Sequence, residues 1–91
     1  MYILAIKGKE KEGAYSVSDD DNEQVLYMFQ QEDDAIRYAL QLEDLNYPEM
    51  NVIEIEDDLM IKTCEVHGHQ YAIITQNDIV VPLENVKHDY I

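Results

Sequence analysis

The chain contains a single cysteine, Cys64, no tryptophan, one phenylalanine, two prolines and three glycines. One cysteine excludes an intrachain disulfide, so no covalent bond reinforces the small hydrophobic core. An unpaired cysteine is typical of proteins in reducing compartments, and we therefore expect the protein to be cytoplasmic. The three glycines are too scattered to form a phosphate-binding loop.

Long apolar runs are also missing from the chain. No segment approaches the roughly 20 apolar residues that a membrane-spanning helix needs. The first apolar segment, residues 2–6, is followed rather than preceded by Lys7, Lys9 and Lys11, which is the reverse of a secretory signal. We expect no membrane association.

Basic residues are scarce: six lysines and arginines stand against twenty aspartates and glutamates, a formal net charge of −14. A field of this sign repels phosphate groups, which disfavours direct binding to nucleic acids and to anionic membranes. It favours encounter with partner proteins that have a basic surface.

A strong periodic pattern is present, and it is most complete between Val25 and Ile55. Residues 25–29 form an apolar strand, and the carboxylates of Glu32-Asp33-Asp34 favour a helix N-terminus directly after it. Pro48 ends this helix, and residues 52–55 read as the next strand. Similar patterns predict strands at 2–6, 14–17, 71–75 and 79–81, and a second helix that is capped by Asp57 or Asp58, runs to His67 and ends at Gly68.

The element order β-β-β-α-β-α-β indicates an α+β fold. We expect a two-layer sandwich of a mixed β-sheet with two helices on one face, because right-handed crossovers made in one direction place their helices on the same face. The residues 1–82 are predicted to form a single domain, and residues 83–91 a C-terminal tail outside the sheet. The open sheet face would carry Tyr2, Tyr15, Tyr27 and Tyr71.

Soft metal ligands occur together only near the end of the second predicted helix, at Cys64, His67 and His69. Zinc accepts such ligands, but a structural zinc site needs four of them. A catalytic Cys–His pair would need a thiol of lowered pKa, which the acidic charge of this chain opposes. A buried cysteine beside two helix-end histidines is the simpler interpretation, and we expect no metal.

Carboxylates are abundant, but their spacing does not match a catalytic or metal-binding motif. Residues 19–23 begin like a calcium loop and lack its later glycine and glutamate. The other clusters fall at predicted helix starts and strand exteriors, which are not clefts that hold two carboxylates with separated pKa values. We therefore expect no catalytic residue, no cofactor and no enzyme activity.

A set of residues in order along nearly the whole chain resembles a known family. The set is Met28-Phe29, Glu32-Asp33-Asp34-Ala35, Arg37-Tyr38-Ala39, Leu42-Glu43, Pro48, Cys64, Gly68 and Pro82-x-Glu84-Asn85-Val86. The family is a small domain of unknown function of cyanobacteria and plastids, catalogued as family thirty-one-ten. The resemblance implies a photosynthetic organism, or a virus that infects one, and it carries over no activity, cofactor or catalytic residue.

The sequence favours a non-catalytic acidic interaction or regulatory module that binds another protein with a basic surface. One alternative is an acidic inhibitor that mimics nucleic acid in the groove of a basic protein, and another is a small metal-binding protein or enzyme that uses Cys64 and His67. The apolar segment 79–81 favours a homodimer. The residues expected at the protein interface are Tyr15, Asp19, Asp20, Asp21, Tyr27, Pro82, Glu84, Asn85 and Val86.

Overall fold

Six β-strands and two α-helices make up the computed structural model, which describes residues 1–18, 23–78, 82 and 87–90. The predicted α+β class and the order β-β-β-α-β-α-β are confirmed, and a further strand follows. Neither helix is long and apolar enough to cross a membrane. The elements are β1 Tyr2–Ile6, β2 Tyr15–Ser18, β3 Gln24–Phe29, α1 Glu32–Asp44, β4 Met50–Glu54, α2 Asp57–His67, β5 Gln70–Ile74 and β6 Lys87–Tyr90.

These strands form one mixed sheet, as predicted. Its order is β4-β1-β3-β2-β6, and β5 pairs in parallel with β3 while the other neighbours are antiparallel. The strand β5 pairs with β3 from Val25 to Phe29 and occupies one edge of β3. The strands β1 and β2 therefore share its other edge. Among the described strands, β4 pairs with β1 alone and is therefore an edge strand.

The helices lie on opposite faces of the sheet, which corrects the prediction of a two-layer sandwich with both helices on one face. Leu4 packs in the cluster that contains α1, and its neighbour Ile3 packs in the cluster that contains α2. Consecutive strand residues point to opposite faces, so each helix covers a different one. The reason is the path of the chain: α1 carries it from β3 outward to β4, and α2 carries it back to β5. Right-handed crossovers made in opposite directions place their helices on opposite faces.

Helix α1 buries an apolar stripe that follows the helical period of about 3.6 residues. Ala35, Ala39 and Leu42 are buried against the sheet, and Tyr38 joins them in the same core cluster. The two alanines allow the helix to approach the sheet closely. The carboxylates of Glu32-Asp33-Asp34 occupy the first turn, where they offset the partial positive charge of the free amides.

Replacing Leu42 by alanine should lower the free energy of unfolding by about 2–5 kcal/mol, because the fully buried side chain leaves a cavity that closes only partly. Leu40→Ala in the same helix is the matched control, since Leu40 is 56% exposed. It should change the free energy of unfolding by less than about 0.5 kcal/mol. Urea denaturation followed by circular dichroism measures both variants, and equal losses would contradict this orientation of α1.

The ends of α2 match the sequence prediction at one terminus and differ at the other. Glu56 is the N-cap residue, so the prediction that Asp57 or Asp58 caps the helix is wrong; both carboxylates lie in the first turn instead. Gly68 ends the helix in the left-handed conformation, with a φ of 72°, as predicted.

The C-terminal residues Lys87–Tyr90 form β6 and pair with the whole of β2. The segment 83–91, predicted as a tail outside the sheet, therefore contributes a strand to it. The predicted strand 79–81, on which the homodimer prediction rests, lies outside the described residues.

Candidate interaction surface

An apolar groove of about 140 Å³ runs between α1 and the edge strand β4. Its helix side includes Ile36 and Leu40, which are 41% and 56% exposed. These residues extend the apolar stripe of α1 beyond the width that the sheet covers. We call this surface the α1–β4 groove; it is lined by Ile36, Ala39, Leu40, Glu43, Glu49, Met50 and Val52.

The backbone of β4 presents hydrogen-bonding groups to the open side of the groove. In an antiparallel pair, residues that exchange both hydrogen bonds alternate with residues that exchange none. Met1 and Ile55 exchange both, at 2.8 Å each, and the amide of Lys7 donates to the carbonyl of Glu49 at 3.0 Å. The constant register between β1 and β4 fixes every residue between these pairs. The N–H and C=O groups that point away from β1 are therefore those of Met50, Val52 and Glu54.

Carboxylates collect at one end of the sheet. The parallel strands β3 and β4 both end there, so α1 and α2 start at the same end of the sheet, on its two opposite faces. Tyr2 lies at this end: its hydroxyl donates to Oε2 of Glu54 at 2.9 Å, and its pKa is raised by that hydrogen bond and charge, by partial burial and by the charge of Glu32. We call this surface the acidic end; it comprises Glu32, Asp33, Asp34, Glu54, Glu56, Asp57 and Asp58.

The basic residues are placed differently. Lys7, Lys9 and Lys11 follow the last residue of β1, at the opposite end of the sheet from the acidic end. Arg37 is one turn into α1, where its guanidinium donates to Asp34 at 2.8 Å. The acidic end therefore carries more carboxylates than cationic side chains, and a basic partner is drawn toward the ends of β3 and β4.

The structure places few of the predicted interface residues on a surface. Tyr15 is only 1% exposed and lies in the core, so the prediction that it faces a partner is wrong. Tyr27 packs against the same core cluster and is half-buried, as is Pro82. The segments Asp19–Asp21 and Glu84–Val86 lie outside the described residues.

Tyr15 belongs to a buried hydrogen-bonded network instead. Its hydroxyl shares a hydrogen bond of 2.8 Å with the hydroxyl of Tyr38 and bonds to Nδ1 of His88 on β6. The rings of Tyr15 and His88 stack at 5.7 Å, and Tyr47 meets His88 edge-on at 4.8 Å. Burial raises the pKa of Tyr15, and it raises the pKa of Tyr38 to about 12. The network links the strands β2 and β6 to α1, which covers this face of the sheet.

Cys64, His67 and His69 line a second cavity, of about 300 Å³, between α2 and the sheet. Cys64 is buried, and burial raises the pKa of its thiol, which opposes formation of a thiolate. The rings of His67 and His69 are 6.0 Å apart at the rim. Within the described part of the chain, no three His, Cys, Asp or Glu side chains are grouped so that they could hold a metal ion.

Sequence reasoning missed the α1–β4 groove. Ile36 and Leu40 are visible as apolar residues beside the stripe of α1, and their exposure follows only from which strands α1 covers. The edge position of β4 has no local signal, because its alternating sequence is equally compatible with an inner strand.

Comparison with known proteins identifies one family. The family model described as Domain of unknown function (DUF3110) matches residues 1–84. Searches of curated proteins and of solved structures found no significant match.

Proposed function

Because the chain belongs to the family described as Domain of unknown function (DUF3110), we propose its function from its own surfaces: it is a non-catalytic acidic module that acts in the cytoplasm and binds another protein with a basic surface. The observation that carries the proposal is the α1–β4 groove, where exposed apolar side chains, an open strand edge and carboxylates occur together. Exposed apolar surface bordered by charge is typical of protein interfaces.

The apolar and acidic parts of this surface make separate contributions. Burial of Ile36 and Leu40 by a partner supplies affinity, at about 25 cal/mol for each Å² of apolar surface removed from water. The carboxylates at the borders of the groove and at the acidic end raise the rate of encounter with a basic partner. Association should therefore slow as the salt concentration rises, whereas dissociation should depend mainly on the apolar contacts.

Affinity capture from the source organism tests this proposal when the bait is compared with two variants. Leu40→Glu places a charge inside the groove, and Leu59→Glu places the same charge on α2 at a side chain that is 59% exposed. Proteins bound by the wild-type chain should be lost with Leu40→Glu, by about tenfold or more in yield, and retained with Leu59→Glu. Equal retention by both variants, or no protein retained at any ionic strength, would contradict a role for the groove.

A second candidate function is an inhibitor that mimics nucleic acid and occupies the groove of a basic protein. The observation that favours it is the acidic end, which brings the clusters Glu32–Asp34 and Glu54–Asp58 to one end of the sheet. This function depends on charge alone. It predicts that a DNA duplex displaces the captured protein, and that Asp57→Asn with Asp58→Asn abolishes capture while Leu40→Glu does not.

A further inference from the structure

The geometry points to a defined mode of binding at the α1–β4 groove: the partner adds an extended segment to the open edge of β4, with alternate apolar side chains in the groove and Lys or Arg side chains between them. This inference rests on the proposed function and names the chemistry of the partner. The occupant is an extended basic segment of another protein, and neither a helix nor a second copy of this chain.

The strand edge supplies the backbone part of the site. Met50, Val52 and Glu54 each direct one N–H and one C=O group away from β1, and no hydrogen bond joins these groups to another described residue. Natural edge strands are commonly protected by proline, lysine or a bulge. The strand β4 contains none of these between Met50 and Glu54. An added strand would satisfy these groups, as in other cases of peptide addition to a sheet edge.

The helix supplies the side-chain part of the site. Ile36 and Leu40 are one turn apart on α1, a rise of about 6 Å along the helix. Alternate residues of a strand are about 6.7 Å apart on one face. Because α1 runs back along the sheet between two parallel strands, successive same-face side chains of an added strand meet Ile36 and Leu40 in turn. A partner segment with an apolar side chain at every second residue therefore fits the groove.

The carboxylates around the groove favour an occupant with basic side chains. Glu43 and Glu49 border the groove, and Glu54 stands where β4 meets the acidic end. The lysine at this border, Lys7, is 3.4 Å from Glu49 in an exposed ion pair, which a partner cation displaces at little cost.

Self-pairing of β4 is opposed by the same charges. Antiparallel pairing of two copies at this edge would bring together two molecules that each carry a net charge of −14, with Glu49 and Glu54 of both copies in or beside the paired strands. Repulsion between molecules of like charge opposes this pairing. A segment with Lys or Arg between apolar residues relieves this repulsion and fills the groove.

Titration of the ¹⁵N-labelled protein with a capped peptide of alternating Val and Lys tests the inference. Amide hydrogen exchange should slow at Met50, Val52 and Glu54, whose N–H groups face the open edge. The matched internal controls are Asn51 and Ile53, whose amides already bond to β1 and should not change. A peptide of the same composition with all Lys before all Val should bind at least about tenfold more weakly, because its apolar side chains do not alternate.

Backbone methylation of the peptide separates strand addition from binding by charge. Methylation at alternate amides removes hydrogen-bond donors without changing side chains or charge. Two such peptides, methylated in the two alternate registers, test the two edges of the peptide strand separately. One of them should lose about tenfold or more in affinity, since several hydrogen bonds are removed, and the other should bind like the parent. Leu40→Glu should weaken the parent peptide similarly, and Leu59→Glu should not.

Each other outcome overturns the inference. Equal binding by both methylated peptides, with shifts confined to the acidic end, would show recognition of charge without strand addition. Slowed exchange on β4 together with a doubled mass in light scattering, in the absence of peptide, would identify a second copy as the occupant. If capture depends on Leu40 but no alternating peptide binds, the extended-strand inference is wrong and the proposed function stands. If Leu40→Glu does not reduce capture, the proposed function is wrong, and the inference that rests on it is wrong as well.

Discussion

Raising the pH above about 10 should progressively destabilise the protein. Burial raises the pKa of Tyr38 to about 12 from the usual 10.0, and it raises the pKa of Tyr15 as well. These phenols stay protonated in the folded state at a pH at which they ionise in the unfolded chain. Stability is therefore complete below the unfolded pKa and is lost as the pH rises toward the folded pKa.

Each tyrosine that remains protonated only in the folded state should reduce the free energy of unfolding by about 1.4 kcal/mol per pH unit above pH 10. Urea denaturation at several pH values between 9 and 12 measures the slope. Tyr38→Phe removes one of the two groups, and its slope should be shallower than that of the wild type. Ionisation of all seven tyrosines near pH 10, with circular dichroism unchanged, would contradict burial of the pair.

Replacing Tyr15 by alanine should lower the free energy of unfolding by about 3–5 kcal/mol, which is a large part of the stability of a domain of this size. The ring is 1% exposed and contacts the rings of Tyr27, Tyr38 and His88 at centroid distances of 6.1, 5.5 and 5.7 Å. Loss of the ring leaves a cavity at the centre of the α1 face and removes the hydrogen bond and the stacking contact with His88 of β6. Thermal and urea denaturation measure the loss.

Two further variants identify its cause. Tyr15→Phe keeps the ring and removes the hydrogen bonds to Tyr38 and His88, so it should cost about 1–2 kcal/mol, less than the alanine variant. Tyr71→Ala removes a half-buried tyrosine from the opposite sheet face and should also cost less than Tyr15→Ala. If Tyr15→Ala were the mildest of the three, Tyr15 would be a surface residue, as the sequence alone suggested.

That error about Tyr15 shows where sequence reasoning reaches its limit. The pattern of residues 14–17 correctly indicates a strand, but a two-residue period does not say which face the chain will cover. Tyr15 becomes buried because α1 packs on its face and because His88, 73 residues away, stacks on its ring. No short-range signal links residues so distant in the chain.

The two helices also combine features that local sequence determines with features that strand order determines. The boundaries of α1, its buried stripe and the left-handed glycine after α2 follow from local rules: carboxylates at a helix start, a period of about 3.6 residues and the low cost of positive φ at glycine. The faces that the helices cover depend instead on strand order. Because β1 lies between β3 and β4, the chain crosses the sheet in one direction and returns in the other.

By itself, the sequence determined the α+β class, the order of the first seven helices and strands, the glycine that ends α2 and the strongly acidic character of the chain, because turn chemistry, hydrophobic period and charge are properties of neighbouring residues. Only the tertiary structure decided that the helices lie on opposite faces, that residues 87–90 complete the sheet, and that β4 is left open beside Ile36 and Leu40. Strand pairing joins segments that are distant along the chain, so the edge that remains open is set by the completed sheet and not by the edge strand itself.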